Sequence, residues 1–407
     1  MMSVEEAREA ILARFRALDS ERVPLAQALG RVLAHDVDAP EDLPPFANSA
    51  MDGYALRTAD ITAADAAHPV RLNLIGEVPA GSVFPGTVGA GQAVRILTGA
   101  PLPAGADAVI QQELTTPGDG EVAILARGAV GNNVRAAGTD VPRGTKLLAR
   151  GVELGAAELA VLAAFGMDPL PVTRRPRVAI LATGDELAAP GERPRPGQIR
   201  DSNSAWLAAA VAQAGAEPWL LGIARDTADD LRAHLARAAA ADLILTSGGV
   251  SVGTYDLVKD VLAEGGAVEF WRVRLRPGKP LAFGTYGATP LFGLPGNPVS
   301  SAVTFELFAR PAIRTMLGAA AVDRPLVEAE LGGEAIARGD RRHYVRAHLS
   351  ARDGRLIATP TGEQGSHRIA SLLGAAALLV IHEGEGMVAP GTLVPALSLS
   401  GPLAAAR

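Results

Sequence analysis

The sequence contains no cysteine. Disulfides, zinc ribbons, iron–sulfur ligation and thiol nucleophiles are thereby excluded. Lysine is nearly absent too. Of 38 basic residues only Lys146, Lys259 and Lys279 are lysine. In such a chain a lysine stands out as a compact ammonium chosen over a planar fork, and two of the three sit in or beside Gly-rich stretches. The seven histidines are scattered, and the closest pair, His343 and His348, falls at odd spacing in an expected strand, which places them on opposite faces. Metal chemistry here therefore needs oxygen ligands, or ligands carried by a substrate. No apolar run approaches the length of a membrane span. The N-terminal stretch "MMSVEEAREAILARF" has acids where a secretory signal carries bases, so a cytoplasmic protein is expected.

What is present is a chain of 407 residues with 48% hydrophobic and 20% charged residues, a soluble globular composition too long for one core. The net charge of −6 argues against a general nucleic-acid binder. Ser3 to about Leu18 is expected as an amphipathic helix with a Ser3–Glu6 capping box. The prolines of "DAPEDLPPFANSAMDGYAL" break that pattern. From Arg71 to Arg150 short β runs ("VRLNLIGEV", "QAVRILTGA", "DAVIQQEL", "EVAILARG") alternate with Gly/Pro turns. The helix "GAAELAVLAAFG" follows, with Gly166 as its stop. From "TRRPRVAILATGDEL" onward strands and helices alternate, which reads as a doubly wound α/β sheet. After Arg324 the chain returns to short strands. The expected fold is thus multidomain, α/β plus β: an N-terminal helical region (1–45 and 140–176) with an inserted β module (46–139), a central α/β domain (177–323) and a small C-terminal β domain (324–407).

In an open α/β sheet, ligands bind outside the carboxyl ends of the strands. Three strands end in unusual loops: "ATGDEL", "TSGGVSVGTYD" and "GLPGNPVS". In the second, Gly248, Gly249 and Gly253 would let main-chain N–H groups approach an anion, and Ser247 and Ser251 would add hydroxyls. The loop is neither a Walker P-loop nor GxGxxG, and a generic turn is the alternative. "LRPGKP" offers Arg276 and Lys279 to an oxyanion, or forms a surface charge pair. In "GLPGNP", Pro295 and Pro298 flank Gly296 and Asn297 in a rigid loop. Glu186, Asp226 and Asp256 each follow a strand. Three carboxylates at an anion site repel the anion unless a cation mediates, and hard Mg²⁺ resolves the conflict. Taken singly, Asp226 is also readable as a solvated loop acid and Asp256 as a helix-dipole partner.

At these motifs the chain resembles the molybdopterin molybdenumtransferase (MoeA) family, which includes the gephyrin E domain. The resemblance covers essentially the whole chain, and its most specific strings are "PPFANSAMDGYAL" and "RILTGAPLPAGADAVI". It implies an enzyme of molybdenum cofactor biosynthesis that inserts molybdate into the dithiolene of adenylylated molybdopterin, with Mg²⁺-dependent cleavage of the adenylate and release of AMP. Carried onto matching positions, it implies active-site roles for Asp52, Thr98 and Asp140, for Glu186, Asp226 and Asp256 at the metal, and for Lys279, Pro295 and Pro298. Arg346, Ser366 and His367 match the C-terminal pattern. Arg276 stands where the family often has lysine. The resemblance also implies an elongated homodimer whose site is shared between chains, supplied by an adenylyltransferase. Two rival readings are molybdopterin adenylyltransferase, against which the extra domains argue, and a receptor-clustering scaffold.

Overall fold

The computed structural model describes residues 1–248, 260–262, 264–337 and 339–399. Gly249, Ser251, Gly253 and Asp256 lie outside the described residues, as do five of the eleven residues of the stretch "DLVKDVLAEGG" expected as a helix. The chain divides into two compact units, Asp36–Ala149 with Ala157–Asp168, and Met1–His35 with Arg150–Ala156 and the chain from Pro169 on. Among the described residues no helix is long and apolar enough to cross a membrane.

The unit containing Asp36–Ala149 is built on a six-stranded sheet. Its order is Ala108–Gln111, Gly53–Leu56, Gln92–Ile96, Val70–Val78, Glu121–Ile124 and Thr115–Pro117. The four β runs anticipated from sequence are all strands here. Gly53–Leu56, in a stretch read as a break, is a fifth and lies between two others. Its alternate residues serve two apolar clusters. Tyr54 and Leu56 join Leu72 and Ile124, while Ala55 joins Val94 and Val109. A Cβ at Gly53 would collide with the Ile110 carbonyl, so only glycine lets the two backbones approach there.

The other unit opens with the helix Val4–Leu12, whose capping box is present. Ser3 Oγ accepts from the Glu6 N–H at 3.1 Å, and Glu6 accepts from the Ser3 N–H at 2.7 Å. The helix ends well before Leu18, because the following turns close tighter (Phe15 N–H to the Leu12 carbonyl) and the Leu18 N–H goes to the Met316 carbonyl. Val4, Ile11 and Phe15 pack into the same core as Val178 and Phe292 of the α/β sheet and Leu207 and Val303 of the helices beside it.

That sheet has the order Glu217–Ala224, Arg177–Thr183, Leu243–Ser247, Thr289–Leu294, Pro280–Tyr286 and Gly266–Arg272. The first four strands run parallel, and the last two pair antiparallel, so the sheet is mixed. The stretches around Phe283 and Trp271 were not anticipated as strands. Both faces are covered. Ala179, Leu181, Ile244 and Leu291 pack with Leu231 and Leu235 of the helix Ala228–Ala238, and the opposite face packs with Leu207 and Val211 of the helix Asn203–Gln213.

After Leu294 the chain runs through the helix Pro298–Thr304, a π-turn over Phe305–Ala309 and the helix Arg310–Met316. The widened turn accommodates Pro311, which has no N–H to give the Leu307 carbonyl. Arg8 Nη1 donates to that carbonyl instead, at 2.6 Å.

The C-terminal part is a closed barrel. Arg342–Arg352 pairs with both Arg355–Pro360 and Ala377–Ile381. Leu326–Leu331 and Leu393–Ser398 complete the ring. In the first of these strands His343 is buried and His348 exposed, on opposite faces as the spacing requires.

Candidate active site

The strands Arg177–Thr183, Leu243–Ser247 and Thr289–Leu294 are in parallel register, with Ser247 opposite both Ala182 and Leu294. Their carboxyl ends therefore finish level, and a cleft of about 670 Å³ opens there. Its walls include Thr183, Glu186, Asn203, Ser247, Gly248, the whole loop Pro295, Gly296, Asn297 and Pro298, and His367. Gly248 has φ +94°, and a Cβ on it would lie 2.7 Å from the Thr183 carbonyl oxygen. Glycine is thus required both by the backbone angle and by the neighbouring strand end. Pro298 occupies the first turn of its helix, where a missing N–H costs nothing.

Glu186 is exposed on this cleft. Its carboxylate folds back over Gly184, where a Cβ would collide with it. The turn carrying it is held from the segment 198–200. The Ile199 N–H donates to the Glu186 carbonyl at 2.8 Å, and Gln198 Nε2 to the Asp185 carbonyl at 3.0 Å. Asp226 is not on the cleft wall. It follows the edge strand Glu217–Ala224, one strand further out, and exchanges long 3.4 Å bonds with Asp185, each carboxylate accepting from the other's backbone N–H. Glu186 and Asp226 thus face different neighbours, and no group of three acids or histidines placed to hold a metal exists among the described residues.

Lys279 is exposed, and the adjacent Pro280 lines the cleft. Arg276 points to a separate cavity of about 390 Å³, with His343, Tyr344, Arg346 and Gln364. The reason is local pairing: Leu275–Arg276 runs parallel to Arg342–His343 of the barrel. Arg346 is wholly buried. Its Nε donates to Ser371 Oγ at 3.0 Å, and its Nη atoms to the carbonyls of Gln364 at 3.2 Å and of Glu363 and Gly365 at 3.4 Å. Burial pushes its pKa down to about 10. Arg346 anchors the segment that follows. The Ser366 carbonyl accepts from the Val299 N–H at 3.1 Å, and His367 reaches the cleft.

In the other unit, Asp52 Oδ1 accepts from both the hydroxyl and the N–H of Thr98, each at 2.7 Å. The Thr98 hydroxyl, then its N–H, hold the Asp52 carboxyl below its ordinary value. Asp140 is exposed, and its N–H donates to the Leu43 carbonyl at 3.0 Å.

Sequence reasoning missed Asn203 and Thr183. Asn203 begins the helix Asn203–Gln213, and its stretch "SNSAWLAAAVAQAG" was read only as helix. Thr183 is the last residue of a strand read only for its apolar run; its hydroxyl is buried and has no partner among the described residues.

Fold and cleft together define the class: an α/β protein with a ligand cleft at the carboxyl ends of its strands, carrying a further β unit and a terminal barrel. Three family profiles match the chain, described as the MoeA N-terminal region (domain I and II) over residues 2–166, "Probable molybdopterin binding domain" over 179–315 and the MoeA C-terminal region (domain IV) over 328–399. Molybdopterin molybdenumtransferase 2 of Mycobacterium tuberculosis is 42% identical over 96% of this chain and 98% of its own length. The molybdopterin molybdenumtransferase of Nostoc is 42% identical over 94% of this chain and 89% of its own. A crystal structure of a molybdopterin biosynthesis MoeA protein from Pyrococcus horikoshii matches with TM-score 0.88 at 34% identity, over 98% of this chain and all of that one. The chain belongs to the molybdopterin molybdenumtransferase (MoeA) family.

Proposed function

We propose that this protein is a transferase of molybdenum cofactor biosynthesis that inserts molybdate into adenylylated molybdopterin and releases AMP. The observation that carries the reading is the meeting of Glu186, Ser247, Gly248 and the 295–298 loop in one cleft at the strand ends, in a chain similar over nearly its full length to proteins named for this activity. The substrate brings its own dithiolene sulfurs, which suit molybdenum, so a protein without cysteine can take part. The chain's work is then with oxyanions and protons. The bare backbone at Gly248 and the Ser247 hydroxyl receive phosphate oxygens. Cleavage adds one water across the phosphoanhydride, leaving AMP and the terminal phosphate of the pterin.

Glu186 is a candidate general base for that water, because its carboxylate is exposed on the cleft. Magnesium takes one or two carboxylates together with substrate phosphates. Glu186 on the cleft wall fits such a shared ion, with Asp256 as its proposed companion, and Asp226, one strand further out, is a proposed acid of the wider site. Bound there, the ion would neutralise phosphate charge as a Lewis acid. Lys279, beside the cleft, and Arg276, at the neighbouring cavity, are proposed to hold molybdate. Arg346 keeps the Ser366–His367 segment in place. Asp52, Thr98 and Asp140 are proposed functional residues of the N-terminal half. We read the chain as regions 1–45 with 140–176, 46–139, 177–323 and 324–407. The active form is a cytoplasmic homodimer, supplied by an adenylyltransferase. The test is AMP release from adenylylated molybdopterin with Mg²⁺, with and without molybdate. Release coupled to molybdenum bound to the pterin supports the reading, and a folded protein that binds substrate without turning it over refutes it.

A further inference from the structure

Asn203 stands on the cleft wall at the start of its helix. Its one side-chain nitrogen donates twice, to Ser247 Oγ at 2.8 Å and to the Gly296 carbonyl at 2.7 Å. These acceptors belong to two different strand-end loops. A carbonyl oxygen can only accept, so Gly296 fixes which end of the amide faces the loops. The consequence falls on Ser247. Its oxygen already accepts from Asn203, so its proton must point elsewhere. Ser247 is buried on the cleft wall, and no acceptor takes that proton among the described residues. A hydroxyl so oriented is a donor to whatever enters, beside a glycine that leaves the backbone bare.

We propose that Asn203 is a positioning residue that sets Ser247 as a one-way hydrogen-bond donor to a phosphate oxygen of the ligand, while holding the Gly248 and Gly296 turns at a fixed separation. The inference rests on the reading that the cleft receives an adenylylated pterin. It carries a polarity. Asn203→Asp keeps the shape but replaces the donor with an acceptor. Ser247 then turns its proton onto the carboxylate and away from the ligand, and the Gly296 carbonyl faces a negative oxygen.

The experiment uses the full chain and four variants: Ser247→Ala, Asn203→Ala, Asn203→Asp and the double alanine. It reads kcat and KM for AMP release from adenylylated molybdopterin, the Kd of AMP by calorimetry, and Tm. Ser247→Ala is expected to lower kcat/KM and weaken AMP about tenfold, the size of one lost bond to a charged acceptor. Its Tm should stay near the wild-type value, because the Asn203–Gly296 bond remains. Asn203→Asp should fall at least about tenfold below Asn203→Ala, because it misdirects the donor and adds negative charge. The double alanine should be no worse than the worse of the two single alanines within about threefold, because Asn203 acts on the ligand through Ser247.

Single losses that multiply in the double variant, or an Asn203→Asp protein with wild-type kinetics, overturn the proposal. If Asn203→Ala does not fold, Ser247→Ala decides alone: unchanged AMP release and unchanged AMP affinity overturn it. If the wild type binds AMP but releases none from the pterin substrate, the functional reading fails while the inference stands or falls on AMP affinity. A wild type that binds no AMP overturns the inference as well.

Discussion

Asp52 and Thr98 stand 46 residues apart in the chain, and one carboxylate oxygen of Asp52 accepts both the hydroxyl and the backbone N–H of Thr98. Both residues were singled out from separate stretches, "SAMDGYA" and "ILTGAP", with nothing in the sequence to join them. The pairing arises because Gly53–Leu56 and Gln92–Ile96 are antiparallel neighbours, with Gly53 opposite Ile96. That register brings the residue before one strand alongside the residues after the other.

The depressed pKa of Asp52 follows from this pairing, so Thr98→Val should raise it. The hydroxyl bond disappears while the backbone N–H bond remains, and the carboxyl should titrate part of the way back toward its ordinary value of about 3.9. A carboxyl-detected NMR titration checks this, and an unmoved Asp52 would show that the hydroxyl does not stabilise the charged form.

Asp242 contributes to the pH dependence of the α/β region's stability. Burial pushes its carboxyl up, but the bonds from Arg174 and the Arg177 N–H outweigh that, and the carboxyl lies below its ordinary value. Arg174 binds it through both nitrogens, at 2.8 and 2.6 Å. A depressed acid contributes stability above the unfolded-state pKa, and that contribution is lost as pH falls through the folded value. Asp242→Asn should therefore cost about 1–2 kcal/mol at pH 7, with the difference from wild type shrinking below about pH 4. Urea titrations at both pH values measure it.

Gly248→Ala should destabilise the protein by about 2 kcal/mol, because φ +94° and the Thr183 carbonyl both oppose a Cβ. The same substitution at Gly81, where φ is +82° but the space is open, carries only the backbone penalty. Comparing the two by thermal unfolding separates strain from collision.

Arg346→Leu should cost about 3 kcal/mol, since it leaves the part-buried carbonyls of residues 363–365 and the buried Ser371 hydroxyl without their donor. Urea unfolding measures the loss. A variant of wild-type stability would mean that Arg346 serves the ligand rather than the loop.

Much of this was legible in the sequence, for identifiable reasons. The Ser3–Glu6 box, the strand ending at Thr183 and the loop from Pro295 to Pro298 are local patterns, each set by residues within a few positions of one another. The end of the first helix near Ala13 was not legible, because the Leu18 N–H is drawn away by Met316, far along the chain. The strands around Phe283 and Trp271 were not legible, because they pair antiparallel at the edge of a sheet whose sequence pattern is an alternation of strands and helices. Arg276 and Lys279 were read as one cationic pair from adjacency, yet pairing with the barrel turns Arg276 to another cavity. Asp226 was grouped with Glu186 by its position after a strand. Strand order, which is a long-range property, places it one strand beyond the cleft. Asn203 escaped because its importance lies in partners 44 and 93 residues distant.

Cleavage of the adenylate is proposed to take place at the cleft bearing Glu186. The most direct measurement is the rate of AMP release from adenylylated molybdopterin, with Mg²⁺ and molybdate, for wild type and Glu186→Gln. Glu186 is exposed, so the variant should unfold within about 0.5 kcal/mol of wild type. Its AMP release should fall about 10²-fold or more with substrate still bound. An equally stable variant that releases AMP at the wild-type rate would contradict that proposal.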